Sequence, residues 1–238
     1  MMCSFLICPD EQIDDLCLKN YKIIQKKGCF RYGTDAVVLS DFAVKYIKKG
    51  SRLLDIGTGT GILPLLLSAK TEAAELIGLE IQKEMANLAK RSVCLNEEAG
   101  VLERERVKIW EGDIKNAKTN FSARSFDVVV TNPPYKRRRA GIPNENERLN
   151  IARHEITCTL TDIVENASFL LKSRGDFIMV NHPERLADAF EAMRAYRLEP
   201  KELQFVYSEI SARPILFLVH AVLFGGKNLV IEKGIEVK

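Results

Sequence analysis

The stretch Leu53–Ile62, LLDIGTGTGI, most narrows what this chain can fold into. An apolar run carrying one acid leads straight into Gly57, Gly59 and Gly61, set at every second position. Such a run reads as a strand buried on both faces, and glycines so spaced let the chain turn sharply and let a ligand approach its backbone. A strand that opens into a glycine turn belongs to an α/β fold.

The rest of the chain repeats that alternation. Arg52–Gly57, Glu75–Glu80, Val107–Asp113, Phe126–Asn132 and Asp176–Asn181 are short, apolar and rich in β-branched residues, as buried strands are. Between them, Ile81, Met85, Leu88 and Ala89 recur at helical spacing, as do Leu160, Ile163, Val164, Ala167 and Leu171, and later Leu186, Ala189, Phe190 and Met193. Two further strands, Glu202–Ile210 and Ile215–Phe224, are joined by a link too short for a helical crossover, so they form an antiparallel hairpin. The expected fold is therefore a Rossmann-like α/β domain. It has a mostly parallel seven-stranded sheet with one antiparallel strand and helices on both faces. A single domain is expected, with an extension over 1–50, a core over 51–226 and a tail over 227–238.

The residues around the loop suit a nucleoside without phosphate. A dinucleotide fingerprint spaced from Gly57 and Gly59 would need glycine at position 62, which is Ile62, and no GK[ST] follows to make a phosphate cradle. Glu80, 23 residues beyond Gly57, is placed to accept both hydroxyls of a ribose. Asp55 would repel a pyrophosphate and suits a cationic ligand. S-adenosyl-L-methionine (AdoMet) carries a ribose, an adenine, an ammonium and a sulfonium, and it fits these residues best. Asp113, in EGDI, stands either to accept from the adenine amino group, with the Ile114 backbone against the ring, or to cap the turn that follows.

Nine residues, TNPPYKRRR from Thr131 to Arg139, follow the fourth strand. NPPY resembles the motif of enzymes that methylate an exocyclic or amide nitrogen, and the chemistry that this resemblance implies explains the residues: an amino group on a heteroaromatic ring is a poor nucleophile, because its lone pair is delocalised into the ring. Two acceptors aimed at its N–H bonds, the Asn132 side-chain oxygen and the Pro133 carbonyl, would draw it toward tetrahedral geometry and stabilise the charge that develops. Consecutive prolines, Pro133 and Pro134, fix the corner that holds that carbonyl. Tyr135 offers a ring for a base to stack on, and Lys136, Arg137, Arg138 and Arg139 offer charge to phosphates.

Composition excludes other classes. The net charge is +3, and the longest apolar runs fall far below the ~20 residues a membrane helix needs. The N-terminus has an apolar run with no basic segment before it, so no secretory signal is read. Six cysteines, Cys3, Cys8, Cys17, Cys29, Cys94 and Cys158, match no zinc spacing and include no CxxC. A cytoplasmic protein with free thiols, no metal and no membrane is expected.

In this order LDIGTGTG, Glu80, GDI and NPPY resemble the class I AdoMet-dependent methyltransferases that act on exocyclic or amide nitrogens. Phe30–Ala43, FRYGTDAVVLSDFA, and Ile151–Glu155, IARHE, further resemble the bacterial tRNA(Val) adenine-N6 methyltransferases. The resemblance implies a tRNA partner, methylation of the adenosine beside the anticodon, and a monomer or weak homodimer. It also implies that Gly33, Thr34 and Asp35 border the methionine end of the cofactor, with Asp55, Gly57, Thr58, Gly59 and Gly61 around it. Glu80 and Ile81 would hold the ribose side, Asp113 and Ile114 the adenine, and Asn132 to Tyr135 the target base. Arg153 and His154 would touch substrate, unless His154 caps the following helix.

Two departures stand out. The basic KRRR run is heavier than the family's usual loop, and the tail lacks the proline and tyrosine that commonly close it. Glutamine methylation of release factors, which uses the same NPPY, and amino methylation of ribosomal RNA are the alternatives. The first normally has a long helical region ahead of the cofactor domain, and only about 50 residues precede the glycine loop here.

Overall fold

The computed structural model describes residues 7–27, 33–133 and 158–237. The chain opens with an antiparallel hairpin, β1 (Glu11–Asp15) and β2 (Lys22–Lys26). Helix α1 (Thr34–Ala43) follows, then β3 (Arg52–Ile56), α2 (Ile62–Lys70), β4 (Glu75–Glu80), α3 (Lys83–Glu98) and β5 (Val107–Glu111). The second half runs α4 (Ala117–Asn120), β6 (Phe126–Thr131), α5 (Leu160–Leu170), β7 (Leu171–Asn181), α6 (Leu186–Ala195), β8 (Leu198–Ser208), β9 (Leu216–Leu223) and β10 (Val230–Val237).

The main sheet has eight strands in the order β10-β8-β9-β7-β6-β3-β4-β5. Only β9 runs antiparallel, against both β7 and β8. Seven strands were expected, and the eighth is the supposed tail, which adds β10 parallel to β8. Its exposed residues and interspersed Glu and Lys suit an edge strand and give no core-strand signal. Gly234 permits the pairing, since a Cβ there would lie 2.6 Å from the Tyr207 ring.

Strand residues alternate between two cores. Leu53, Leu76, Val128, Val130, Ile178 and Leu218 face α1, α2 and the hairpin, whereas Leu54, Ile77, Val129, Phe177, Met179 and Phe217 face α4, α5 and α6. Burial on both sides explains the unbroken apolar strands. Strand β7 begins five residues earlier than expected, directly after α5, and Leu171 is its first residue rather than the end of a helical stripe. Ser173, Arg174 and Gly175 look like a loop in sequence but form an irregularity within the strand. Arg174 there has φ 66°, and Gly175 lies close to the Asp127 and Lys172 carbonyls.

The amino ends of the strands are tied by charge. Arg52 and Lys108 both pair with Glu75, the latter at 3.0 Å, while Lys172 pairs with Asp127 at 2.7 Å and Asp127 also accepts the Arg52 N–H. At the same end Asp176 holds His220 at 2.8 Å, with the Tyr46 ring stacked on the imidazole. His220 is thus structural. Among the described residues no helix is long and apolar enough to cross a membrane, and no cluster of His, Cys, Asp or Glu is arranged to hold a metal ion. Cys8, Cys17 and Cys158 are free thiols, and the buried Cys94 thiol lies 3.8 Å from a Glu98 carboxylate oxygen.

Candidate active site

The chain reverses direction of travel at β3. From there β4 and β5 are laid to one side and β6 and β7 to the other, so the carboxyl ends of β3 and β6 part at the switch point where open α/β sheets bind ligands. In register, Ile56 stands beside Leu79 on one flank and Thr131 on the other, and Glu80 stands beside Glu111. Asn132, the glycine loop, Glu80 and Asp113 therefore line one edge of the sheet in that order.

The loop is shaped by backbone demands. Gly57, Gly59 and Gly61 have φ of 76°, 57° and 85°, which L-residues with a Cβ adopt at a cost. A Cβ on Gly57 or Gly59 would meet nothing within 4 Å, so the space above them is open. On Gly61 it would lie 3.1 Å from the Ala89 Cβ, where α2 packs against α3. The Gly57 and Thr58 N–H groups both donate to the Leu79 carbonyl, at 2.9 and 3.1 Å.

Glu80 is buried and braces the site. One carboxylate oxygen accepts the Gly59 N–H at 2.9 Å and the other the Gln82 N–H at 2.8 Å. Each oxygen keeps a lone pair for a ribose hydroxyl. Ile81 lies before α3 rather than on its buried stripe and is 43% exposed, an apolar surface beside Glu80.

Asp55 is fully buried, and neither of its oxygens has a hydrogen-bond partner among the described residues. Burial pushes its pKa up to about 7, and the charge of Glu80 adds to the rise. The Thr58 hydroxyl and the Asn132 side-chain oxygen are likewise buried and unpartnered among the described residues. Unsatisfied buried oxygens of this kind are uncommon and call for a ligand or an equivalent partner. Acceptors of this kind, a glycine cradle and a doubly braced Glu80 fit the ammonium and hydroxyls of AdoMet.

Asp113 caps the 3₁₀ turn Ile114–Asn116, accepting the Lys115 N–H at 2.9 Å, so the capping role is realised and one oxygen is left over. The Ile114 side chain is buried in the second core. At the start of α1, Gly33 is extended, Thr34 exposed and Asp35 buried, with the Asp35 carboxylate 3.0 Å from the Ala36 N–H. Strand β2 runs antiparallel to α3: Lys22 bonds to Asn96, Ile24 to Ser92 and Lys26 to Glu84 in the first turn. The end of β2 therefore lies beside the start of α3, at the glycine-loop edge of the sheet. Pro134, Tyr135, Lys136, Arg137, Arg138, Arg139, Arg153 and His154 lie outside the described residues.

Two site residues escaped the sequence reading. Gly78, mid-strand in β4, would put a Cβ 2.7 Å from the Thr58 hydroxyl, so it keeps the floor under the loop; an isolated glycine inside a strand is the signal that points to it. Thr131, fully buried, donates from its hydroxyl to the Ile56 carbonyl at 3.0 Å.

The sequence profile of the Methyltransferase domain family matches residues 47–213. Among solved structures, an Agrobacterium tumefaciens protein described as a predicted O-methyltransferase superposes with TM-score 0.67 at 21% identity, covering 85% of this chain and 88% of its own. A T. thermophilus 16S rRNA N2 methyltransferase, solved with AdoMet and guanosine, gives TM-score 0.60 at 20% identity, covering 89% of this chain and 50% of its own. At that identity the likeness is one of fold, and the fold is that of class I AdoMet-dependent methyltransferases. Sequence comparison goes further. The tRNA1(Val) (adenine(37)-N6)-methyltransferase of Bacteroides thetaiotaomicron is 30% identical over 68% of this chain and 64% of its own. The Porphyromonas gingivalis enzyme of the same name is 30% identical over 80% of this chain and 73% of its own. A relative that is 30% identical over most of both chains shows the family, and the chain belongs to the bacterial tRNA1(Val) (adenine-N6)-methyltransferase family.

Proposed function

We propose that the protein methylates the N6 of an adenine in tRNA, the adenosine next to the anticodon of a valine tRNA, working in the cytoplasm as a monomer or weak homodimer. The observation that carries this reading is the Asn132 side-chain oxygen, buried and unpartnered among the described residues, at the point where β3 and β6 part. Bound there, AdoMet would supply an electrophilic methyl group on a sulfonium, with the thioether as its leaving group.

The chain's own residues do the rest. Asn132 accepts one N–H of the adenine amino group and the Pro133 carbonyl accepts the other. Together they turn the nitrogen lone pair toward the methyl group and steady its positive charge until the amino group sheds a proton. The prolines hold that carbonyl in place without flexing. Glu80 keeps the ribose, Gly57 and Gly59 leave room for the ligand, and Asp55 contributes negative charge from beneath. Positioning, rather than a general base, supplies the acceleration. The target base swings out of its stack to reach the corner, and Tyr135 with the basic run that follows holds it and its phosphates.

Incubation with AdoMet and total tRNA, followed by mass spectrometry of nucleosides, is expected to yield N6-methyladenosine at one position. Modification of release factor or ribosomal RNA, with tRNA unmodified, would overturn the assignment. Asn132→Ala is expected to lower turnover by about 10²- to 10³-fold, as loss of one preorganised transition-state group does. AdoMet affinity by calorimetry should stay near that of the wild type.

A further inference from the structure

The glycine loop is held firmly on one flank. Gly57 and Thr58 lean on the Leu79 carbonyl, and Gly59 leans on Glu80, so the β4 side of the loop is tied by backbone and carboxylate together. On the other flank stands β6, whose next residue is Asn132. At the carboxyl end of that flank the Thr131 hydroxyl donates to the Ile56 carbonyl at 3.0 Å and is fully buried, while the Asp127 side-chain bond to the Arg52 N–H ties the same two strands at their opposite end. Thr131 and Ile56 are partners at the last rung of the β3–β6 ladder. One residue further on, the two strands separate into the loop and the amide. Pro133 has no N–H with which to carry the pairing past Asn132.

We propose that Thr131 is a positioning residue: its hydroxyl stitches the glycine loop to the Asn132 corner at the fork, and so fixes the spacing between the cofactor side and the acceptor side of the site. The inference rests on the reading of Asn132 given above. Its physical basis is that two groups meeting in one transition state tolerate little error. A misplacement on the order of 1 Å costs about 10²-fold in rate. A buried hydroxyl satisfied by a neighbouring strand's carbonyl is a stiff link, because no water can replace it.

Two pairs of chains that differ by the hydroxyl alone test this: wild type against Thr131→Val, which keeps the β-branched shape, and Thr131→Ser against Thr131→Ala. In each pair, loss of the hydroxyl is expected to lower kcat by about 10- to 100-fold. KM for tRNA and Kd for AdoMet should each stay within about twofold, since neither partner alone touches the stitch. The serine chain should keep most of the rate. A readout that does not depend on turnover is the Asn132 side-chain NH₂ signal in ¹⁵N-resolved NMR, identified by its loss in Asn132→Ala. It should be one sharp pair in the threonine and serine chains and shifted or broadened in the valine and alanine chains.

Equal rates within each pair, with Asn132→Ala still impaired, would overturn the role of Thr131 and leave the amide reading intact. Equal impairment of Ser and Ala would do the same, since it would reveal packing alone. If Asn132→Ala itself kept full turnover, the amide reading would fail, and the NMR signal would then decide the stitch separately. The Ser and Ala pair decides the matter should the valine chain not fold.

Discussion

Asp55 is costly to stability, and the binding role proposed for it gives that cost a use. Its carboxyl is fully buried, with a pKa pushed up from 3.8 to about 7. Between those values the unfolded chain gives up the proton while the folded chain keeps it, so this residue's contribution to stability falls as pH rises and levels off above about 7. Asp55→Asn is therefore expected to melt higher than the wild type at pH 8 and close to it at pH 4. A cationic ligand favours the ionised form, so AdoMet affinity should fall as pH drops from 8 to 6 in the wild type and change little in Asp55→Asn. Calorimetry across that range checks it. The position of Asp55 before the loop was legible from its spacing to the glycines, but its complete burial was not, because nothing local says which end of a strand lies under a lid of backbone. Gly78 was legible in kind, as a bare residue in an apolar strand, and its close approach to Thr58 was not. Thr131 gave no signal, since a threonine at the end of a strand is ordinary and its bond spans 75 residues.

Among the elements, the hairpin contributes most that the strand and helix patterns could not reveal. Its β2 strand packs along α3, and one charge pair anchors the hairpin's start: Arg91 on α3 grips Glu11 on β1 through two nitrogens, at 2.6 and 2.7 Å. That grip, helped by the Cys8 N–H, holds the Glu11 pKa at about 2, down from 4.5. The depressed value means the stabilisation is present above about 4.5 and is lost as pH falls through about 2. Arg91→Ala leaves a buried carboxylate short of a partner and is expected to cost about 1–3 kcal/mol in chemical denaturation. It should also flatten the acid limb of the stability profile. The parallel strands were legible because burial on both faces forces an unbroken apolar run. The hairpin was legible only as a strand-like flavour of the first 50 residues, because Gln12, Asp14 and Gln25 interrupt its pattern and its pairing with α3 is carried by side-chain hydrogen bonds to Ser92 and Asn96. Strand β7 was read short for a similar reason, the serine, arginine and glycine of its irregularity imitating a turn.

At the scale of the whole molecule, the eighth strand extends the sheet at the edge farthest from β5, and chemistry does not reach it. A chain truncated after Gly226 is expected to keep AdoMet affinity within about twofold by calorimetry, since the binding edge is built from β3 to β6. It should aggregate sooner on heating, because the long edge of β8 would be left without a neighbour. The order of the central strands followed from the alternation of elements, whereas β10 had only the mixed polarity of an edge to announce it. The amino ends of the strands hold the ion pairs of Glu75 and Asp127, and the carboxyl ends hold the ligand-facing groups. If the carboxyl rim binds as proposed, tolerance and selection act on opposite rims: substitutions that toughen or soften the protein can accumulate at one without disturbing which nucleotide the other accepts.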